Sequence, residues 1–116
     1  MKLKLIVVMV DNTKTSAVID AARAGGATGA TVITSVRGEG LTPEKTFLGL
    51  DLSAARDVVL LLVAEHLSRE ILEAIAEAGH FDEEPGSGIA VQIEIEDAVG
   101  LKTQLPTLLH EIEEEV

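Results

Sequence analysis

Apolar residues divide this chain into strand-length and helix-length pieces. Residues 2–10, KLKLIVVMV, form a β-branched run that reads as a largely buried strand, closed by the turn and capping residues Asp11 and Asn12. In 13–26, TKTSAVIDAARAGG, the positions Ala17, Val18, Ala21 and Ala22 share a helical face. Thr13 or Asn12 is available as N-cap, and Gly25 or Gly26 as the stop. Residues 30–37, ATVITSVR, and 56–64, RDVVLLLVA, predict two more strands. Between them 38–54 is too polar and too broken by Gly and Pro for a regular element. Residues 66–79 place Leu67, Ile71, Ala74 and Ala78 on one helix face, ending at Gly79. Residues 88–99 alternate Val91, Ile93 and Ile95 against Gln92, Glu94 and Glu96, a strand with one wet face. Residues 105–116 put Leu105, Leu108, Leu109 and Ile112 on a terminal helix.

The order β-α-β, loop, β-α-β closes naturally as an α+β ferredoxin-like βαββαβ sandwich: an antiparallel four-stranded sheet, two helices on one face, and a C-terminal helix. A single domain over 1–116 suits this length. LIVVMV and VVLLLV hardly alternate, so the face of the sheet without helices is also apolar. Copies of the chain itself are the economical cover for it.

Composition narrows the chemistry. The formal net charge of −11 opposes binding to nucleic acid or to an anionic membrane. The absence of cysteine excludes disulfides and thiolate chemistry. The apolar run at the start is too short to span a bilayer, so the expected location is cytoplasmic, with no direct membrane insertion. His66, His80 and His110 show no paired ligand spacing, and only His80 with Asp82, Glu83 and Glu84 could gather a metal; no specific metal site is expected. No serine lies in a nucleophile context and no carboxylate pair has acid–base geometry, so the chain does not read as an enzyme.

The ordered set GATGATVITSVRGEG, EILEAIAEAG and PGSGIAVQIEIEDAVGL resembles the PII signalling proteins. The resemblance covers nearly the whole chain and implies a homotrimer with sheets facing inward and three clefts between subunits that bind an adenine nucleotide. It implies a T-loop at about 38–55, a B-loop at about 81–88 and a tail at 101–116. Carried over, Thr31 would contact adenine, Gly38 would lie at the cleft, and Gly86, Ser87 and Gly88 would cradle phosphate. Arg37, Lys45, Arg56 and Lys102 are the basic residues expected near the cleft, with Arg37 and Lys102 in the contact set. Glycines without a Cβ allow backbone N–H groups to converge on an anion; PGSG read alone is a plain turn before a strand.

The departures redirect the expectation. Ile89 stands where the nitrogen-signalling members carry lysine, Gly100 and Lys102 where they carry two arginines, and Asp82, Glu83 and Glu84 would repel phosphate unless magnesium intervenes. AMP, ADP or cyclic AMP is therefore expected over free ATP, with magnesium accompanying ATP. The loop lacks tyrosine, so uridylylation of the kind some members undergo is excluded. Lys45 and Phe47 are the candidates for contact with a target protein, by analogy a membrane transporter or a metabolic enzyme. The rival expectation is a structural or copper-tolerance-like trimer of the same fold with no nucleotide site; a small metal-dependent enzyme using the acidic loop is the third.

Overall fold

A computed structural model describes residues 2–36, 46–47, 50–51 and 56–100. The elements are β1 (Leu3–Asp11), α1 (Thr15–Ala24), β2 (Thr31–Val36), β3 (Thr46–Phe47), β4 (Leu50–Asp51), β5 (Arg56–Ala64), α2 (Glu65–Gly79) and β6 (Gly88–Glu94). The main sheet has the order β2-β5-β1-β6, and every pairing in it is antiparallel. This is the four-stranded α+β sandwich that the pattern predicts. The most apolar strands, β1 and β5, take the two central positions, where both faces need covering.

One face of the sheet carries the helices. Ile6, Val8 and Val10 from β1 and Val59, Leu61 and Val63 from β5 pack with Val18 and Ala22 of α1 and with Ile71 and Ile75 of α2. Both helix faces are rotated slightly from the expected ones. Thr15, Val18 and Ala22 are buried in α1 while Ala17 is exposed, and Ser68, Ile71, Ile75 and Gly79 are buried in α2. Small alanines satisfy a helical period without fixing its phase, whereas the fully buried Ile71 and Ile75 each gain more from burial.

The helix ends differ from the sequence expectation at two points. No side chain caps α1, whose N-cap is Lys14. Asp11 instead accepts the N–H and the hydroxyl of Thr13 at 2.9 and 2.8 Å, a local turn that hands the chain from β1 to the helix. At the end of α2 the left-handed residue is His80 (φ 55°), not Gly79. The Phe81 N–H returns to the Ala76 carbonyl there, a Schellman closure built on a non-glycine residue. Gly79 is needed one position earlier for another reason: a Cβ on it would stand 2.2 Å from Phe81 Cε1.

β6 stops at Glu94 rather than reaching 99, because its last ladder partner is Lys4, near the start of β1. Its alternation is also placed differently from the reading of one wet face. Val91 and Ile93 lie on the side away from the helices, 41% and 47% exposed, and Gln92 faces the helix layer with its Oε1 buried. Among the described residues that oxygen has no hydrogen-bond partner. Within 38–54, expected to lack regular structure, the short antiparallel ladder β3–β4 pairs Thr46 with Asp51 and Phe47 with Leu50. The expected terminal helix and the tail 101–116 lie outside the described residues.

Candidate functional site

Ladder register assigns the side chains of the open face. Leu5, Val7 and Met9 of β1 stand opposite Leu62, Leu60 and Val58 of β5, and opposite Ile93, Val91 and Ile89 of β6. All nine are partly or well exposed in the single chain, and none is polar. Thr31 and Ile33 extend this face on β2, opposite Leu60 and Val58. Thr31 borders a concavity of about 580 Å³ that also includes Thr28, Gly29, Leu5, Leu60 and Leu62.

Gly86, Ser87 and Gly88 lie at the other edge. Strands β5 and β1 separate β2 from β6, so Thr31 and Gly88 stand three inter-strand steps apart across the sheet, about 14 Å, and are further offset along the strands in one protomer. Of the other residues expected in the site, Arg37, Gly38, Lys45 and Lys102 lie outside the described residues. Phe47 is described only by its backbone in β3.

The segment before β6 is a hydrogen-bonded turn. Pro85 and Gly86 occupy its two central positions; Gly86 has φ +80°, and the Ser87 N–H returns to the Glu84 carbonyl at 3.2 Å. Pro followed by a glycine of positive φ is the type II pattern. Ser87 is buried, and its hydroxyl points to the carbonyls of Glu84 and His80 at 2.7 and 3.1 Å. Gly88 admits no Cβ, which would lie 2.5 Å from Phe81 and 2.8 Å from the Met9 carbonyl. Phe81 thus wedges between Gly79 and Gly88 and pins the loop to the body. A groove of about 430 Å³ runs beside it between α2 and the edge of β6, floored by Leu72, Ala76, Phe81 and Ile89.

Two cations from distant elements hold this turn. Lys14 Nζ donates to the Gly79 carbonyl at 3.0 Å and to Glu84 Oε2 at 2.6 Å. The buried Arg56 donates from Nη1 to the Gly86 carbonyl and lies 3.9 Å from Asp11 Oδ2. The sequence placed Arg56 near the cleft but missed Lys14. Its partners lie 65 and 70 positions away, so no local spacing could reveal them. The acidic residues do not converge: Glu84 turns to Lys14, and Glu83 Oε2 meets His80 Nδ1 at 3.0 Å.

These contacts set the titration of the turn. The hydrogen bond from Lys14, followed by its charge, holds the Glu84 carboxyl below its ordinary value. Asp11 is also lowered, first by the Thr13 backbone N–H, then by the Thr13 hydroxyl, with lesser help from Arg56 and Lys14. A depressed carboxylate stabilises the fold above its unfolded value, near 3.8 for Asp11, and loses that contribution as pH falls through the lower folded value. Asp11→Asn is expected to flatten the acid limb of stability below about pH 4, while leaving the neutral plateau lower by no more than about 1 kcal/mol, since the group is partly solvated. Urea titrations from pH 2.5 to 7 read both quantities.

The sequence model of the nitrogen regulatory protein P-II matches residues 3–104. The chain belongs to the P-II family. Solved structures share its fold at low identity. A PII-like signalling protein from Thermus thermophilus is 20% identical with a TM-score of 0.60, covering 82% of this chain and 88% of that one. CPII from Thiomonas intermedia K12, bound to ADP, AMP and acetate, is 20% identical with a TM-score of 0.60, covering 83% and 90%. The apo form of that CPII gives 19% identity and a TM-score of 0.64, covering 82% and 90%. No curated protein sequence matches this P-II chain. Among the described residues of the P-II chain, no helix is long and apolar enough to cross a membrane.

Proposed function

We propose that this P-II family member is a homotrimeric signalling protein that binds an adenine nucleotide in clefts between subunits and reports occupancy through residues 38–55 to a target protein. The carrying observation is the division of the expected site between opposite edges of one sheet, with a wholly apolar face between them. Packing that face against neighbouring copies buries it and offers a way to bring Thr31 of one subunit toward the Gly86–Gly88 turn of the next. The ADP and AMP held by CPII support an adenine nucleotide as the ligand class. A regulatory rather than catalytic role follows from the same reading. The signal is a population shift: a nucleotide that binds better to one arrangement of the loop favours it by the difference in affinity. The target is a transporter or a metabolic enzyme, met by Lys45 and Phe47, and the setting is the cytoplasm.

Calorimetric titration with AMP, ADP, cyclic AMP, and ATP with and without magnesium tests the reading. Saturable binding of one nucleotide, weakened about tenfold by Thr31→Ala, is the expected result; tenfold corresponds to loss of one good hydrogen bond, about 1.4 kcal/mol. Arg37, Gly38 and Lys102 complete the proposed contact set with the turn.

The second reading, a trimer without a nucleotide site, draws on one specific observation. Gly86, Ser87 and Gly88 each have a structural task, in the turn, in its internal hydrogen bonds and against Phe81. A trimer that no member of the panel stabilises would establish it.

A further inference from the structure

We propose that Arg56 and Asp57 form a positioning junction that ties the Pro85–Gly86 turn to the backbone at Ser35, so that a change in the turn alters the root of the segment 37–55. The two residues open β5 and are consecutive, so their side chains leave opposite faces of one strand. On one face Arg56, only 7% exposed at its side chain, holds the Gly86 carbonyl and stands near Asp11. On the other face Asp57 Oδ2 accepts the Thr15 hydroxyl at 2.6 Å, at the start of α1, and Oδ1 accepts the Ser35 N–H at 3.3 Å.

Ser35 is the responsive element. It has φ 57°, a left-handed conformation that a residue with a Cβ adopts only under constraint, and it lies where the β2–β5 register shifts between Ile33 and Val36. Ser35 bulges out of the ladder and donates to Asp57; a ladder continuing in register from Ile33 would lose that bond. Arg56 is itself the ladder partner of both Val36 and Asp11. A displacement of its guanidinium by the Gly86 peptide therefore acts on the strand residue that carries Asp57 with it. The contacts form a continuous chain from Gly86 through Arg56 and Asp57 to Ser35, a physical route of the kind coupling requires.

The inference concerns the ligand-free protein and does not rest on nucleotide binding. Its test is amide exchange followed by NMR in the full chain. Gly86→Ala strains the turn at φ +80° without crowding it, since the nearest atom to the new Cβ is Arg56 Nη2 at 3.8 Å. The expected result is exchange at Ser35 about tenfold faster, within the range of coupling between contacting networks. Protection at Val8 and Val59 should be unchanged. Arg56→Gln should speed Ser35 similarly, and Gly86→Ala added to it should bring less than about a further twofold change. Arg56→Lys, which keeps the charge but not the planar fork, should fall between. Independent multiplication of the two effects, or a Ser35 amide indifferent to Gly86→Ala, would overturn the junction. So would a uniform loss of protection across all strands in Arg56→Lys, the mark of a purely stabilising arginine.

Discussion

Val7→Asp is expected to convert the proposed trimer into a species sedimenting near the chain mass of 12.2 kDa. Val7 lies at the middle of the open face, between Leu60 and Val91 in the ladder. Its side chain points away from the helix layer, so the carboxylate of a single chain would reach water and the internal core would be untouched. In a trimer whose sheets face inward, three such carboxylates would meet in an apolar interior. Each would carry an unpaired-charge penalty of several kcal/mol, with mutual repulsion added. Analytical ultracentrifugation at micromolar protein reads the assembly, and far-ultraviolet circular dichroism reads whether the monomer keeps its fold. A trimer unchanged by this substitution would place the interface elsewhere and remove the basis for inter-subunit clefts.

The second large effect should reverse sign with its background. In the natural chain Gly79→Ala brings a Cβ to 2.2 Å from Phe81 Cε1 and 2.7 Å from Cδ1, so the ring must leave its place between Gly79 and Gly88. Overpacking of this kind costs about 1–3 kcal/mol, a fall in Tm of roughly 4–12 °C for a chain of this size. In a Phe81→Ala background the obstruction is gone. The same substitution then replaces glycine with the best helix former at the last residue of α2, and a gain of up to about 1 kcal/mol is expected. Thermal denaturation of the four proteins in the cycle decides the matter. Equal effects in both backgrounds would show that the ring does not set the requirement for glycine.

The strands and helices were legible because long apolar runs and helical periods carry them. β1 and β5 read as doubly buried strands for the reason they occupy the centre of the sheet. The phase of each helix was less legible, since Ala17 and Ala74 satisfy the period as well as the residues that are buried. β6 was overextended because Ile95 continues the alternation past the last residue that β1 can pair with. Gly79 looked like a helix stop because glycine usually is one; here His80 takes the left-handed position and Gly79 makes room for a ring. The site was legible only in outline. Thr31 and the Gly86–Gly88 turn could be named from the resemblance, but their separation across the sheet depends on strand order. Lys14 became visible only when topology brought it to Glu84 and Gly79, and the bond from Arg56 to Gly86 only when topology joined β5 to the turn.

The strand order also sets a timetable. β1 emerges before every other strand of its sheet, yet its two ladder partners are residues 56–64 and 88–94. At ribosomal speeds of ~5–20 residues per second, on the order of ten seconds pass between the appearance of β1 and that of its last partner. No nearer strand can relieve it, because β2 pairs with β5 and not with β1. The run LKLIVVMV stays unpaired along both edges until β5 emerges, and along one edge until β6 does. Lys2 and Lys4, at the start of this run, are the charges available to keep nascent chains from joining edge to edge before the sheet can close.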